Sequence, residues 1–190
     1  MKKLLAFLAA VLLLAGCAAE RELPVGTDNA TPAGVDTVIS TIPDTELPAV
    51  QSTMTRERWT DTDGTALDYW LYTPENPAED MPLIVYLHGG SGKGNDLKKI
   101  LDKGSLPGDL WSGQLSPAAY VLIPQLPESC KGWTDRAEAL MKLISRVEAD
   151  CAIDSGRVSL TGHSMGGTGA WAIAAAHPGY FARVAPLSGS

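Results

Sequence analysis

Two uninterrupted apolar runs constrain the fold of this chain more than any other feature of its sequence. They lie at residues 83–87 and within residues 118–125. A strand that is apolar at every position is buried on both of its faces, which is typical of a parallel sheet. Residues 157–162 predict a further strand, residues 165–176 a helix and residues 182–188 a last strand. Strands that alternate with helices predict an α/β fold, with a mostly parallel, doubly wound sheet covered on both sides.

Two further elements are indicated beside this sheet. Alternating segments at residues 53–60 and 66–74, joined by the sequence DTDG, predict an N-terminal β-hairpin. Apolar residues then recur at helical spacing after Asp135, so we expect a helix there, with Asp135 as its N-cap and Glu138 as its capping-box partner. Sixteen helical residues span about 24 Å, too far for a disulfide between Cys130 and Cys151. Both are therefore expected to be free thiols.

The first residues indicate a secretory signal rather than a part of the fold. Two lysines precede an apolar stretch at residues 4–14 that is too short to span a membrane, and the sequence LAGC closes it at Cys17. This ending resembles a bacterial lipobox, in which the cysteine is lipidated and becomes the first residue of the mature chain. We therefore expect a lipoprotein signal peptide at residues 1–16, a lipid on Cys17 and an extracytoplasmic location on a bacterial membrane. Ordinary cleavage after Ala19 is the alternative.

The segment that follows predicts a tether, and the charge of the chain limits its partners. Residues 18–53 contain six threonines and four prolines but no aromatic residue and no lysine. Such a composition favours a disordered tether at residues 17–53, followed by a folded domain at residues 54–190. The formal net charge is −7 and no basic stripe is present, which argues against a nucleic-acid partner. No metal-binding or cofactor motif occurs in the sequence, so no cofactor or metal is expected.

The segment TGHSMGGTGAW contains a G-x-S-x-G pattern centred on Ser164. A predicted strand leads into it and a predicted helix leads out, which is the context of a nucleophile elbow, a sharp turn that exposes the serine hydroxyl. The N-terminal dipole of the helix would favour negative charge developing there. Ser164 is therefore predicted to be a nucleophile, and a glycine-rich turn without chemistry is the alternative. The adjacent His163 is not expected to be its base, because neighbouring side chains diverge at such a turn.

A second glycine-rich segment, YLHGGSG at residues 86–92, directly follows the first apolar run. Glycines let a backbone N–H group approach a substrate oxygen. The N–H groups of Gly90 and of Met165, the residue after the serine, are therefore predicted to form an oxyanion hole. His88 is expected to brace this loop rather than to act in catalysis. A phosphate-binding loop is excluded because Lys93 is followed by glycine instead of serine or threonine.

Three quoted segments carry a resemblance to a known family: LDYWLYTPENPAEDMPLIVYLHGGSGKGND, VLIPQLPESCKGW and IDSGRVSLTGHSMGGTGAWAIAAAHPGYFARVAPLSGS. From about Trp59 to Ser190, the chain resembles the α/β-hydrolase superfamily, in the branch of secreted esterases related to feruloyl and polyhydroxybutyrate esterases and to the predicted peptidases. The resemblance implies hydrolysis of a small or polymeric carboxylic ester through an acyl-serine at Ser164. It also implies that Trp133 lines the acyl side of the substrate pocket, with packing in the core as the alternative.

The resemblance implies a triad in the order serine, acid, histidine, and this order is incomplete in the chain. No acidic residue follows Ser164, and the one later histidine, His177, is expected to cap or lie beside a helix end. We therefore expect a fragment that lacks the C-terminal strands and helices of the domain and is inactive by itself, and a complete but catalytically crippled chain is the alternative. Two alternatives stay open: a serine peptidase of the prolyl-oligopeptidase-like type, and a non-catalytic, ligand-binding lipoprotein on the same fold.

Overall fold

A six-stranded sheet forms the centre of the part of the chain that the structure describes, residues 53–190 of a computed structural model. Its strands are β1 (Met54–Thr60), β2 (Ala66–Tyr72), β3 (Met81–Leu87), β4 (Tyr120–Pro124), β5 (Ile153–His163) and β6 (Arg183–Leu187). The spatial order is β1-β2-β4-β3-β5-β6. Strands β3 to β6 are parallel to one another, whereas β2 runs antiparallel to both of its neighbours. The predicted α/β architecture with a mostly parallel sheet is confirmed.

Residues 1–52 lie outside the described part of the chain. The predicted signal peptide, Cys17 and nearly all of the predicted tether fall within them. Among residues 53–190, no helix has both the length and the apolar character needed to cross a membrane.

Helices cover the two faces of the sheet unequally. The described α-helices are α1 (Leu106–Trp111), α2 (Ala137–Asp150) and α3 (Met165–Ala176). On one face, α2 and α3 pack against the sheet and bury the larger core cluster. On the other face, α1 and a short 3₁₀ helix (Leu97–Ile100) pack on β2 and β4. All five residues of β4 are buried as a result, whereas Ile84 and Tyr86 of β3 are only half-buried because the second layer is short.

The N-terminal hairpin forms as its turn sequence predicts. Strands β1 and β2 pair in antiparallel register from Met54 opposite Tyr72 to Thr60 opposite Ala66. In the turn, the Asp61 N–H donates to Thr65 O at 2.7 Å, and Gly64 adopts φ 86°. A positive φ is accessible to glycine at little cost, and this explains the glycine at that position.

The predicted N-cap of α2 is wrong. Helix α2 starts after Arg136, because a 3₁₀ turn (Trp133–Arg136) precedes it and already contains Asp135. The Asp135 carboxylate instead accepts a hydrogen bond from the Lys131 N–H at 2.7 Å, across the start of that turn. The two described cysteines are free thiols, as predicted, with Cys130 buried and Cys151 half-buried.

Candidate active site

Ser164 forms the turn between β5 and α3 with an unusual backbone conformation. Its φ is 54° and its ψ is −120°, a region that a non-glycine residue enters only at a cost of about 1–3 kcal/mol. Hydrogen bonds on both sides hold the turn: the Ser164 N–H donates to Leu187 O at 2.9 Å, and the Thr168 N–H donates to Ser164 O at 3.0 Å. The side chain is exposed, and its hydroxyl has no hydrogen-bond partner among residues 53–190. The strained turn therefore presents a free hydroxyl.

Two glycines allow this turn to lie close to the end of β3. A Cβ atom at Gly162 would lie 2.5 Å from Gly166 O and 2.8 Å from Leu87 O, and one at Gly166 would overlap Leu87 O. Distances of this kind are too short for any side chain. The spacing of glycines around Ser164 is thus a packing requirement between β5, α3 and β3.

The loop after β3 lies against the serine turn. In the parallel register, Leu87 pairs with Gly162, so Gly90 and Met165 each follow a paired residue by three positions. A Cβ atom at Gly89 would lie 3.5 Å from Ser164 Cβ, which is van der Waals contact. Gly90 begins a short 3₁₀ helix (Gly90–Gly92), and Met165 begins α3. The first N–H groups of a helix have no partner inside it, so both groups are free to bind an oxygen from outside.

His88 braces this loop as a neutral imidazole. Its Nε2 accepts a hydrogen bond from the Leu126 N–H at 3.0 Å, and its Nδ1 lies 2.6 Å from Gly89 O. These contacts assign the proton to Nδ1, which donates to the carbonyl oxygen. The ring is buried, and burial lowers the pKa of His88 because the charged form is poorly solvated there, although the hydrogen bond to Gly89 opposes the shift. The predicted structural role of His88 is confirmed.

Trp133 lies in the core beneath the same loop, as the alternative prediction of core packing expects. Its side chain is 1% exposed, and its Nε1–H donates to His88 O at 3.0 Å. The indole meets the His88 ring edge-on at a centroid distance of 5.0 Å. A Cβ atom at Gly169 would lie 2.5 Å from Trp133 Cβ, so α3 closes over the residue from the other side. With both faces packed, Trp133 has no surface for an acyl group, and its predicted pocket role is not supported.

Neither of the other two described histidines forms a hydrogen bond with the Ser164 hydroxyl. His163 is exposed at the end of β5, and His177 ends α3, where its N–H donates to Ile173 O at 3.1 Å. The predicted capping position of His177 is confirmed.

A cleft of about 450 Å³ opens beside the serine turn, lined by residues that include Gly89, His163 and Leu187. In residues 53–190, no group of three or more histidine, cysteine or acidic side chains is placed to hold a metal ion.

A family comparison covers the part of the chain that contains β5, the turn at Ser164 and α3. The family model described as "Putative esterase" matches residues 64–190, which is 127 of the 190 residues. This chain belongs to that esterase family. A comparison of this chain with curated proteins found no match.

Solved structures of esterases share the fold of this chain. The crystal structure of a thermostable esterase is 28% identical with a TM-score of 0.60, and the alignment covers 70% of this chain and 40% of that one. A mutant feruloyl esterase module from Clostridium thermocellum, complexed with sinapinate, is 20% identical with a TM-score of 0.56, covering 72% and 54%. Acetyl xylan esterase from Aspergillus awamori is 22% identical with a TM-score of 0.51, covering 68% and 50%. This chain has the α/β-hydrolase fold and spans 40% to 54% of the length of these three proteins.

Proposed function

We propose that this chain carries the nucleophile and the oxyanion hole of a serine hydrolase that cleaves carboxylic esters. The observation that carries the proposal is the exposed, strained Ser164 in contact with the glycine loop after β3. Strain is stored at such a turn only where the surrounding structure holds it, and sites of this kind are frequently functional. Membership of the esterase family supports the choice of ester hydrolysis.

In the proposed reaction, the Ser164 Oγ attacks the carbonyl carbon of the ester while its proton passes to a base. The carbonyl oxygen becomes an oxyanion, which the N–H groups of Gly90 and Met165 stabilise together with the N-terminal dipole of α3. Collapse of the tetrahedral intermediate breaks the C–O bond and releases the alcohol, leaving an acyl-serine that water then hydrolyses. No side chain of residues 53–190 forms a hydrogen bond with the hydroxyl, and the chain spans only 40% to 54% of the three solved esterase structures. We therefore propose that a histidine and an acid outside this part of the chain complete the site.

A fluorophosphonate probe tests the nucleophile in the full-length protein. We expect the probe to label the wild type but not Ser164→Ala. Ser188→Ala is the matched control, because Ser188 is also exposed and also has a positive φ, 50°, near the same sheet edge. Labelling that persists in Ser164→Ala, or an unlabelled wild type, would contradict the proposal. The second result would favour a non-catalytic binding protein.

Substrate pairs test the type of bond that is cleaved. We expect the full-length protein to hydrolyse p-nitrophenyl esters of short acids and to leave peptide p-nitroanilides intact, because the family match is to esterases. Turnover of the anilides at a comparable rate would indicate a peptidase instead.

We further propose that a lipid on Cys17 anchors the protein outside the cytoplasmic membrane. The support is in the sequence, where an apolar stretch after two lysines ends in LAGC. Stable anchoring requires more than one acyl chain, which bacterial lipoproteins carry. We expect labelled palmitate to be incorporated into the wild type and into Cys151→Ala but not into Cys17→Ala. Incorporation into Cys17→Ala would refute the anchor.

A further inference from the structure

Gln125 lies directly behind the loop that carries Gly90. It follows β4 and is 2% exposed. Its Nε2 donates two hydrogen bonds, to Gly92 O and to Asp96 O, both at 2.8 Å. One amide group therefore holds the two ends of the segment 92–96, which continues from the short 3₁₀ helix (Gly90–Gly92).

The backbone around Gln125 is anchored in the sheet. Its own N–H donates to Asp68 O of β2 at 2.8 Å, which extends the pairing of β2 with β4. The next residue, Leu126, donates to His88 Nε2 and accepts from the Gly94 N–H, each at 3.0 Å. Residues 125 and 126 thus hold the loop at four points, on both sides of Gly90, while the Gly90 N–H itself stays free.

The Gln125 side chain leaves one buried polar atom without a partner. Its Oε1 is buried and accepts no hydrogen bond from residues 53–190. The amide cannot be turned around to satisfy it, because the oxygen would then face two carbonyl oxygens. A buried acceptor without a donor lowers stability, so folding stability alone does not account for a glutamine at the end of this apolar strand. The amide instead fixes the loop through its hydrogen bonds to Gly92 O and Asp96 O.

We propose that Gln125 is a positioning residue that sets the Gly90 N–H for oxyanion binding. The inference rests on the proposed function of Ser164 and Gly90. An oxyanion donor must be placed to within about 0.5 Å to act, and removing one entirely lowers kcat by about 100- to 1,000-fold. If the hydrogen bonds to Gly92 O and Asp96 O are lost, the Gly90 N–H is still present but is displaced. We therefore expect about a 10- to 100-fold fall in kcat and a change in KM of less than about threefold, because the interaction develops in the transition state.

Gln125→Met tests this in the full-length protein, because methionine keeps the length of the side chain and removes both donors. Gln114→Met is the matched control, since Gln114 is exposed after α1 and undergoes the same chemical change. Ester hydrolysis provides kcat and KM, and a trifluoromethyl ketone provides a second readout because its adduct with serine carries an oxyanion. We expect Gln125→Met to weaken the ketone by the same factor as kcat/KM, with Gln114→Met equal to wild type.

Each other outcome overturns the inference. An active wild type with Gln125→Met within twofold of it in kcat and in ketone affinity would refute the positioning role while leaving the proposed function intact. Loss of cooperative unfolding in both Gln125→Met and Gln125→Leu would make Gln125 a folding residue instead. A full-length wild type that neither hydrolyses esters nor takes up fluorophosphonate would refute the proposed function, and the positioning role with it.

Discussion

Replacing Gly166 by alanine should destabilise the fold, although helix propensity alone predicts the opposite. Gly166 is the second residue of α3, and alanine is favoured over glycine in a helix by at most about 1 kcal/mol. The added Cβ, however, would overlap Leu87 O and lie 2.5 Å from Leu87 C and 2.8 Å from His88 O. All three atoms are backbone atoms at the end of β3, so no side-chain rotation can relieve the contact.

The magnitude follows from the rigidity of that strand. An extra methyl group in a well-packed core costs about 1–3 kcal/mol, and occasionally more. Because β3 is paired on both edges, with β4 and with β5, we place the cost at Gly166 at the upper end or above it, about 3–5 kcal/mol. Subtracting the gain in propensity leaves a net loss of about 2–4 kcal/mol, a large fraction of the 5–15 kcal/mol that is typical of a domain.

Urea denaturation of the full-length protein measures this loss. We expect a lower midpoint for Gly166→Ala with an unchanged slope, since the surface exposed on unfolding stays the same. Gly132→Ala is the control, because a Cβ atom there would meet nothing within 4 Å and φ is −163°, which any residue adopts. A Gly166→Ala variant as stable as wild type, or more stable, would refute the argument from close packing.

Three further predictions concern strain and charge. Ser164→Gly should be more stable than Ser164→Ala by about 1 kcal/mol and unfold at a higher temperature, because glycine adopts a φ of 54° at little cost whereas alanine does not. Equal unfolding midpoints would show that the turn is not strained. Burial lowers the pKa of His88 below its usual 6.5, so the unfolded chain takes up this proton first, and wild type should lose stability as the pH falls below about 6.5. His88→Asn should lose less between pH 7.5 and 5.5, and parallel declines in chemical denaturation would contradict this. The Lys142 Nζ lies 2.5 Å from the Asp61 carboxylate, and this hydrogen bond lowers the pKa of Asp61 from 3.8. The stabilisation from this ion pair is present above pH 3.8 and is lost as the pH falls through the lower pKa of Asp61 in the folded protein. The thermal midpoint of Lys142→Met should therefore converge with that of wild type in acid and in high salt. A constant difference between the two midpoints would refute a stabilising ion pair.

Local sequence patterns predicted most of the fold because each depends on near neighbours. The apolar run in β4 predicts a strand covered on both faces, and all five of its residues are buried. The DTDG turn predicts the hairpin, and the glycines around Ser164 predict a sharp turn between strand and helix. The sequence pattern does not predict helix α1, although Ser105 accepts a hydrogen bond from the Gly108 N–H as its N-cap and proline lies within the first turn. Six residues are too few to show a helical period.

Contacts between distant segments decided what the sequence alone could not. Asp135 has the spacing of an N-cap, but it lies inside a 3₁₀ turn that ends before α2 begins. An aromatic residue suits a pocket as well as a core, and only the packing of Trp133 between His88 and Gly169 distinguishes the two. Gln125 lies 33 positions from Gly92, so its hydrogen bond to that carbonyl exists only once β3 and β4 are paired. The sequence by itself determined which segments become strands and where the serine turn lies, because backbone preference and side-chain burial are local. The tertiary structure decided which polar groups hold the loop that faces the serine, because these hydrogen bonds join residues that are remote along the chain.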